Sequence, residues 1–194
     1  LFAPLYLSNY CINGCTYCPY HMKNKHIARK QLTHLDDVVL ENGSETKREV
    51  VDHPGGVSVA VLTENNELIL VRQFRYPYKQ VLLELPAGKL EQGEDPFEAV
   101  KREQREETGT VGEHYISLGN VYPTPGYCGE IIRLWACRAS GSTGELQLDE
   151  DEFLATERLP LDKAVEMVLN NETPDAKTQI GILKTARLVE QGKL

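Results

Sequence analysis

The sequence predicts an α+β domain that begins near residue 36. Three observations support this: apolar stretches alternating around short turns, one helix with clear start and stop signals, and two further helical patterns near the end of the chain. The 194 residues suffice for a single core, and 41% hydrophobic and 26% charged residues are typical of a globular protein. We therefore expect one domain over residues 36–194, preceded by an arm of residues 1–35.

The strands of this domain are predicted from apolar stretches separated by turn residues such as Asn42-Gly43. With their short turns, the predicted strand regions cover residues 34–53, 57–75, 81–88, 114–122 and 130–138. A turn at 141–144 and an acidic loop over 145–155 precede a last strand. The first region predicts an N-terminal antiparallel strand pair.

The first helix is predicted from its capping residues. Asp95 is a good N-cap, Pro96 suits the first helical position, Glu98 completes a capping box, and Gly109 can end the helix. Two more helices are predicted over 161–170 and 175–190. The last has an apolar set formed by Ile180, Leu183, Ala186, Leu188 and Val189.

The charge of the chain limits its partners. A net charge of −8 argues against general nucleic-acid binding. No apolar run approaches the roughly 20 residues that a membrane helix needs, and the short opening LFAPLYL lacks the features of a secretory signal. The sequence therefore predicts a cytoplasmic protein with a small-molecule substrate.

The arm of residues 1–35 differs from the rest of the chain. It holds four basic residues and no acidic one, whereas the remainder has 17 basic and 29 acidic residues. Three of the five cysteines lie in it, at positions Cys11, Cys15 and Cys18. An odd cysteine count with this clustering favours reduced thiols or metal ligands over a disulfide framework.

Three carboxylates lie on one face of the first helix. Glu103, Glu106 and Glu107 are spaced i, i+3 and i+4, so their like charges repel. A solvated acidic face is the ordinary interpretation of such a run. A hard divalent cation is the alternative, because Mg²⁺ prefers oxygen ligands and bridges carboxylates to substrate phosphates. We favour the cation, since Arg102 and Arg105 relieve the repulsion only in part.

The spacing of this segment resembles the Nudix hydrolase box. That box is a Gly, five residues, Glu, seven residues, Arg-Glu, an apolar residue, any residue, Glu-Glu, any residue, Gly and an apolar residue. The chain supplies all seven fixed residues at these spacings: Gly88, Glu94, Arg102, Glu103, Glu106, Glu107 and Gly109. The two apolar positions differ, since Gln104 and Thr110 occupy them. The resemblance implies a Nudix fold, a mixed sheet sandwiched between helices in an α/β/α arrangement.

The same resemblance implies roles for the box. Glu103 and Glu107 would be the chief ligands of Mg²⁺ or Mn²⁺, with Glu106 as a third and a main-chain carbonyl at Ala87 or Gly88 beside them. Gly88 and Gly109 would be structural, as would an ion pair between Glu94 and Arg102. Seven of these residues match the box, and Ala87 directly precedes it: Gly88, Glu94, Arg102, Glu103, Glu106, Glu107 and Gly109. The reaction would be attack of a metal-activated water on phosphorus, with Glu106 and Glu107 at the catalytic centre.

Residues outside the box resemble the ADP-ribose pyrophosphatase group. Pro125 and Gly126, 16 and 17 residues after Gly109, lie where that group carries a proline, although they are also an ordinary turn sequence. The stretches VRQFRYP (71–77), LELPAG (83–88), LDEDEF (148–153) and DAKT (175–178) are similar as well. The resemblance covers roughly residues 36–194. It implies a homodimer that cleaves ADP-ribose into AMP and ribose 5-phosphate.

The group also implies contacts for the substrate. Arg48 and Arg75 would contact phosphates or ribose, and Glu84 the adenine or terminal ribose region. A solvated surface role is the alternative for each arginine. In the acidic loop, Glu150 is the favoured general base and Glu152 a further metal ligand, against the alternative of a solvated loop.

The cysteine motif of the arm resembles a different family. Cys11, Cys15 and Cys18 form a C-x3-C-x2-C pattern that can hold three irons of a [4Fe–4S] cluster. Over about 33 residues the arm is similar to the cluster loop of radical S-adenosylmethionine tyrosine lyases, but the barrel of that family does not follow. We therefore interpret the chain as a chimera. Cluster or zinc binding and an arm with reduced cysteines are the two alternatives.

Four functions thus compete. The favoured one is a Mg²⁺-dependent ADP-ribose pyrophosphatase. The others are a Nudix hydrolase for another nucleotide sugar, a module that binds ADP-ribose without cleaving it, and an iron–sulfur fusion. The intact carboxylate set argues against a module that only binds.

Overall fold

The computed structural model describes residues 36–39, 45–48, 50–142 and 155–194. The strands are β1 (Asp36–Val39), β2 (Glu45–Arg48), β3 (Gly56–Leu62), β4 (Glu67–Arg75), β5 (Gln80–Glu84), β6 (Ala87–Lys89), β7 (Thr110–Val121), β8 (Ile132–Ser142) and β9 (Ala155–Pro160). The helices are α1 (Pro96–Thr108), α2 (Leu161–Leu169) and α3 (Ala176–Glu190).

Strands β3 to β9 form a mixed sheet around β3. The main path runs β5-β4-β3-β8-β7, with β6 paired to β3 and β9 paired to β4. The β3–β8 pair is parallel, and the other pairs are antiparallel. Every residue of β3 is buried, as expected for a central strand covered on both faces.

The two faces of the sheet bury separate apolar clusters. Val57, Val59 and Val61 of β3 pack with Ala99 and Val100 of α1 on one face. The intervening residues of β3 pack on the other face against the second cluster. Its members from β3, α2 and α3 are Ala60, Leu62, Leu161, Ala164, Val168 and Ile182. Helices therefore cover both faces, which confirms the predicted α/β/α sandwich.

The N-terminal strand pair is also confirmed. β1 and β2 pair antiparallel, with Asp36 opposite Arg48. The predicted turn Asn42-Gly43 between them lies outside the described residues. Within the described ranges, no helix is long and apolar enough to cross a membrane.

Three details differ from the sequence prediction. β6 was absent from it, because three residues are too short to show alternation. Strands β7 and β8 are longer than predicted, since Thr110 pairs with Ser142, so Gly141 and Ser142 belong to a strand and not to a turn. Glu98, expected to complete the capping box, instead accepts a hydrogen bond from Lys101.

The predicted apolar face of α3 is wrong in part. Leu183 is exposed, and the buried positions of the helix are Lys177, Thr178, Gly181, Ile182 and Thr185. The reason is close packing: a Cβ on Gly181 would lie 2.3 Å from Cδ1 of Leu85. Thr178 also accepts a hydrogen bond from the Leu85 amide at 2.9 Å. Small and polar residues thus let α3 approach the end of β5.

Gln104 and Thr110, which replace the apolar residues of the box, are bonded to each other. Both are buried, and Gln104 Nε2 donates to Thr110 Oγ1 at 3.1 Å. Gln104 Oε1 accepts from the Tyr115 hydroxyl at 2.7 Å and from the Cys137 thiol at 3.4 Å. A buried amide is tolerated when its groups are paired, so these two departures compensate each other.

We expect Gln104→Leu to destabilise the fold by about 1–3 kcal/mol, because it removes the acceptor of the partly buried Tyr115 hydroxyl and the donor of buried Thr110. The double variant Gln104→Leu/Thr110→Val should be less destabilised than the sum of the two single variants, by at least about 0.5 kcal/mol. Urea unfolding measures all three values. The exposed Gln191→Leu serves as control, and strictly additive effects would show that the two residues are not coupled.

Candidate active site

Helix α1 carries the box residues and is fixed at both ends as predicted. The Asp95 carboxylate accepts from the amides of Phe97 at 2.9 Å and Glu98 at 3.2 Å, and Pro96 occupies the first turn. Gly109 ends the helix in the left-handed conformation, with φ 62°. These caps set which residues of α1 face the sheet.

Two carboxylates lie on that inner face among apolar side chains. Glu103 is 8% exposed and Glu107 is 1% exposed, next to buried Ala99 and Val100. Burying a carboxylate is costly unless it is paired. A solvated acidic face is therefore excluded for these two residues, although Glu106 is only half-buried.

Glu107 joins the helix to β6. Its Oε2 accepts a hydrogen bond from the Ala87 amide at 2.8 Å. The contact uses the N–H of Ala87, whereas the sequence suggested a carbonyl at Ala87 or Gly88 as a metal ligand. The carboxylate is thus held at the start of the β6 backbone.

Glu103 lies directly against Gly88. A Cβ on Gly88 would be 1.9 Å from Glu103 Oε1 and 2.0 Å from its carboxyl carbon. Only glycine therefore allows the carboxylate to occupy this hollow. This gives a physical reason for the first glycine of the box.

Arg102 binds three of the four box carboxylates. Its Nε and Nη2 donate to the two oxygens of Glu94 at 2.9 and 3.0 Å, which is the predicted ion pair. Its Nη1 donates to Glu103 at 2.7 Å and to Glu106 at 2.8 Å. The hydrogen bond from Arg102 lowers the pKa of Glu94, and the bond to Glu94 raises the pKa of Arg102.

A metal site needs several side-chain donors close together. In the described part of the chain, no three His, Cys, Asp or Glu side chains gather where they could hold a metal ion. Arg102 Nη1 instead contacts both Glu103 and Glu106. The chemistry nevertheless fits a hard divalent cation: the donors are carboxylate oxygens, and Arg102 brings one positive charge to three carboxylates.

Glu84, Arg75 and Lys177 form a second charged group at the junction of β5 and α3. Arg75 Nε and Nη2 donate to the two oxygens of Glu84, both at 2.6 Å, and Lys177 also donates to Glu84. Burial alone would raise the pKa of Glu84, but the hydrogen bonds and charges of Arg75 and Lys177 lower it to about 2. Glu84 is therefore ionised at neutral pH.

Glu84 is buried where a substrate contact is predicted. It is 1% exposed, and its two oxygens already accept from Arg75 and Lys177. It is therefore placed to orient Arg75, and its own contact with a substrate stays a prediction. The half-exposed Arg75 remains at the surface, and the negative charge of Glu107 contributes to the raised pKa of its guanidinium.

Lys177 and Asp175 were not singled out as site residues in the sequence. Their only signal was the motif DAKT, in which Asp175 is the N-cap of α3 and accepts from the Thr178 amide at 2.9 Å. Lys177 lies 93 residues from Glu84 in the chain, so no local pattern indicates their contact.

Of the remaining predicted contacts, Pro125 and Gly126 form an exposed turn. Next to this turn, the Val51 amide donates to the Tyr127 carbonyl oxygen at 2.7 Å. Arg48 ends β2, and its side chain is not among the described ones. Five predicted residues lie outside the described ranges: Cys11, Cys15, Cys18, Glu150 and Glu152.

Comparison with known proteins gives consistent similarities. The family model described as the NUDIX domain matches residues 52–180. The chain is 37% identical over 169 residues to an ADP-ribose pyrophosphatase of Bacillus subtilis (strain 168), covering 83% of this chain and 91% of that protein. It is 41% identical over 149 residues to a methanol dehydrogenase activator of Bacillus methanolicus, covering 76% and 80%.

A further relative and a solved structure are also similar to this chain. A GDP-mannose pyrophosphatase of Yersinia enterocolitica is 30% identical over 164 residues, covering 78% of this chain and 84% of that protein. Among solved structures, one titled as an ADP compounds hydrolase matches with a TM-score of 0.68 and 22% identity, covering 82% and 87%. That likeness concerns the fold. The matched family model begins at residue 52, so it does not extend to the cysteine motif of the arm.

Proposed function

The chain belongs to the Nudix family of hydrolases, and we propose that it hydrolyses the pyrophosphate bond of ADP-ribose or a related nucleoside diphosphate sugar. The observation that supports this most is the pair of buried carboxylates, Glu103 and Glu107, held against the β6 backbone. The products from ADP-ribose would be AMP and ribose 5-phosphate. The pyrophosphatase named among its relatives supports this substrate.

The carboxylates of α1 require a cation for such a substrate. Glu103, Glu106 and Glu107 would repel a diphosphate, and Arg102 is already bonded to the first two. We propose that Glu103 and Glu107 are the main ligands of Mg²⁺ or Mn²⁺, with Glu106 and the Ala87 main chain beside them. When bound, such a cation lowers the pKa of water and neutralises charge on the phosphates.

Other residues of the chain serve the same reaction. Arg75 is bonded to buried Glu84 and has a half-exposed guanidinium, which is suited to bind a phosphate. Glu150 is proposed as the base that takes a proton from the attacking water, with Glu152 as a further ligand. Both glutamates lie outside the described residues, so their roles are proposed from the resemblance alone.

Product analysis by mass spectrometry tests the reaction. With ADP-ribose and Mg²⁺ in ¹⁸O-water, we expect AMP and ribose 5-phosphate, with one ¹⁸O atom in whichever product carries the attacked phosphorus. EDTA should abolish turnover. A folded protein that leaves ADP-ribose and a panel of nucleotide sugars uncleaved would contradict the proposal, and binding without cleavage would favour the non-catalytic module.

The substrate panel also separates the second candidate. GDP-mannose is included because a relative named GDP-mannose pyrophosphatase matches over most of the chain. A kcat/KM for GDP-mannose above that for ADP-ribose would move the assignment to that substrate. The homodimer remains a prediction from the resemblance.

A further inference from the structure

Four charged side chains, each bonded to the next, link α3 to the surface of the candidate site. Asp175 and Lys177 of α3 are bonded at 3.0 Å, Lys177 donates to Glu84, and Glu84 accepts the fork of Arg75 at 2.6 Å. Lys177 is 7% exposed and Glu84 1%, whereas the side chain of Arg75 is 36% exposed. The buried residues Lys177 and Glu84 therefore support Arg75, whose side chain a ligand can reach.

The fork fixes how Arg75 is presented. Glu84 accepts from Nε and Nη2, which lie on one edge of the planar guanidinium. Nη1 takes no part in these two bonds, so its donors face away from Glu84. A guanidinium held along one edge offers donors at a defined place, which is what recognition of a phosphate needs.

Lys177 is bonded to two carboxylates, Glu84 and Asp175. Burial alone would lower the pKa of Arg75, but the hydrogen bond and charge of Glu84, and then the charge of Asp175, raise it, so both carboxylates attract its guanidinium. Lys177 lies between them and bonds to both. Without the charge of Lys177, the carboxylates of Glu84 and Asp175 would share one arginine. Arg75 would then no longer have a single preferred partner.

We propose that Lys177 is a positioning residue that, through Glu84, holds the Arg75 guanidinium in place for the diphosphate of the substrate. The inference rests on the proposed function for the identity of the ligand. It does not require Lys177 to contact the substrate, and it gives the N-terminal turn of α3 a part in the site.

Kinetics of Lys177→Met test this role. We expect kcat/KM for the hydrolysed substrate to fall by roughly 10- to 100-fold, in the range typical of residues that orient a ligand-binding group. Lys184→Met is the matched control, since Lys184 is on the same helix and donates to the Leu118 carbonyl at 2.6 Å, away from Glu84. Lys177→Arg should recover most of the loss because it restores the charge.

A double-mutant cycle separates positioning from a general structural effect. In an Arg75→Ala background, Lys177→Met should change kcat/KM by less than about 2-fold, because its target is gone. A full 10-fold or larger loss in that background would overturn the proposal. Circular dichroism checks folding, and Lys177→Gln replaces Lys177→Met if the latter is unfolded.

A readout without substrate keeps the inference distinct from the proposed function. The Nε–H NMR signal of Arg75 should be protected in the wild type and broadened or shifted in Lys177→Met, but unchanged in Lys184→Met. An unchanged Arg75 signal in Lys177→Met would overturn the inference even if ADP-ribose is cleaved. Failure of the wild type to cleave any nucleotide sugar would instead contradict the proposed function.

Discussion

Glu107→Gln is expected to lower kcat by on the order of 10³-fold, because the amide retains the shape of the side chain but loses the charge proposed to bind a metal ion. The fold should survive. The amide oxygen can still accept from Ala87 N–H, which Glu107 Oε2 accepts at 2.8 Å in the native protein. Initial rates with ADP-ribose across a Mg²⁺ titration measure the effect.

The matched control is Glu98→Gln on the same helix. Glu98 is exposed and accepts from Lys101, away from the sheet. Glu98→Gln should alter kcat by less than about 2-fold, because an exposed ion pair contributes little energy. Equal activity of Glu107→Gln and the wild type would refute the assignment of Glu107 to the catalytic centre.

Gly88→Ala is expected to reduce activity by at least about 100-fold while changing the free energy of unfolding by only about 1 kcal/mol. The new Cβ would overlap the Glu103 carboxylate, 1.9 Å from Oε1, so that carboxylate must move. Because the group displaced is the end of a flexible side chain, the fold can adjust. A ligand displaced by about 1 Å costs on the order of 10²-fold in rate.

Gly141→Ala provides the comparison for this variant. A Cβ at Gly141 would meet only Cγ2 of Val111, at 3.9 Å, which is an ordinary contact. Steady-state rates and urea unfolding of both variants separate an effect on the site from an effect on stability. Full activity in Gly88→Ala would show that the position of Glu103 does not matter for catalysis.

The sequence predicted well those features that depend on neighbours in the chain. Asp95, Pro96 and Gly109 define the ends of α1 through contacts within one turn, and the structure has the helix between them. The ion pair of Glu94 and Arg102 was expected from the box spacing. The sheet and its covering helices followed from alternating apolar residues and from the family resemblance.

Features that depend on distant contacts were missed. Nothing near Glu84 in the chain indicates Lys177, so the buried ion pair between them was not predicted. β6 is too short for a periodic signal. On α3, the apolar pattern pointed to Leu183, because the close approach to Leu85 that favours Gly181 is visible only in three dimensions.

The buried bond between Gln104 and Thr110 has a consequence for how this family of sequences can vary. Gln104 Nε2 donates to Thr110 Oγ1 at 3.1 Å, inside the layer between α1 and the sheet. A lineage that changes either position to an apolar residue removes one partner of a buried polar group, so the second change should follow soon after. Among close relatives, these two positions should be polar together or apolar together, and an alignment that counts mixed pairs can detect this covariation.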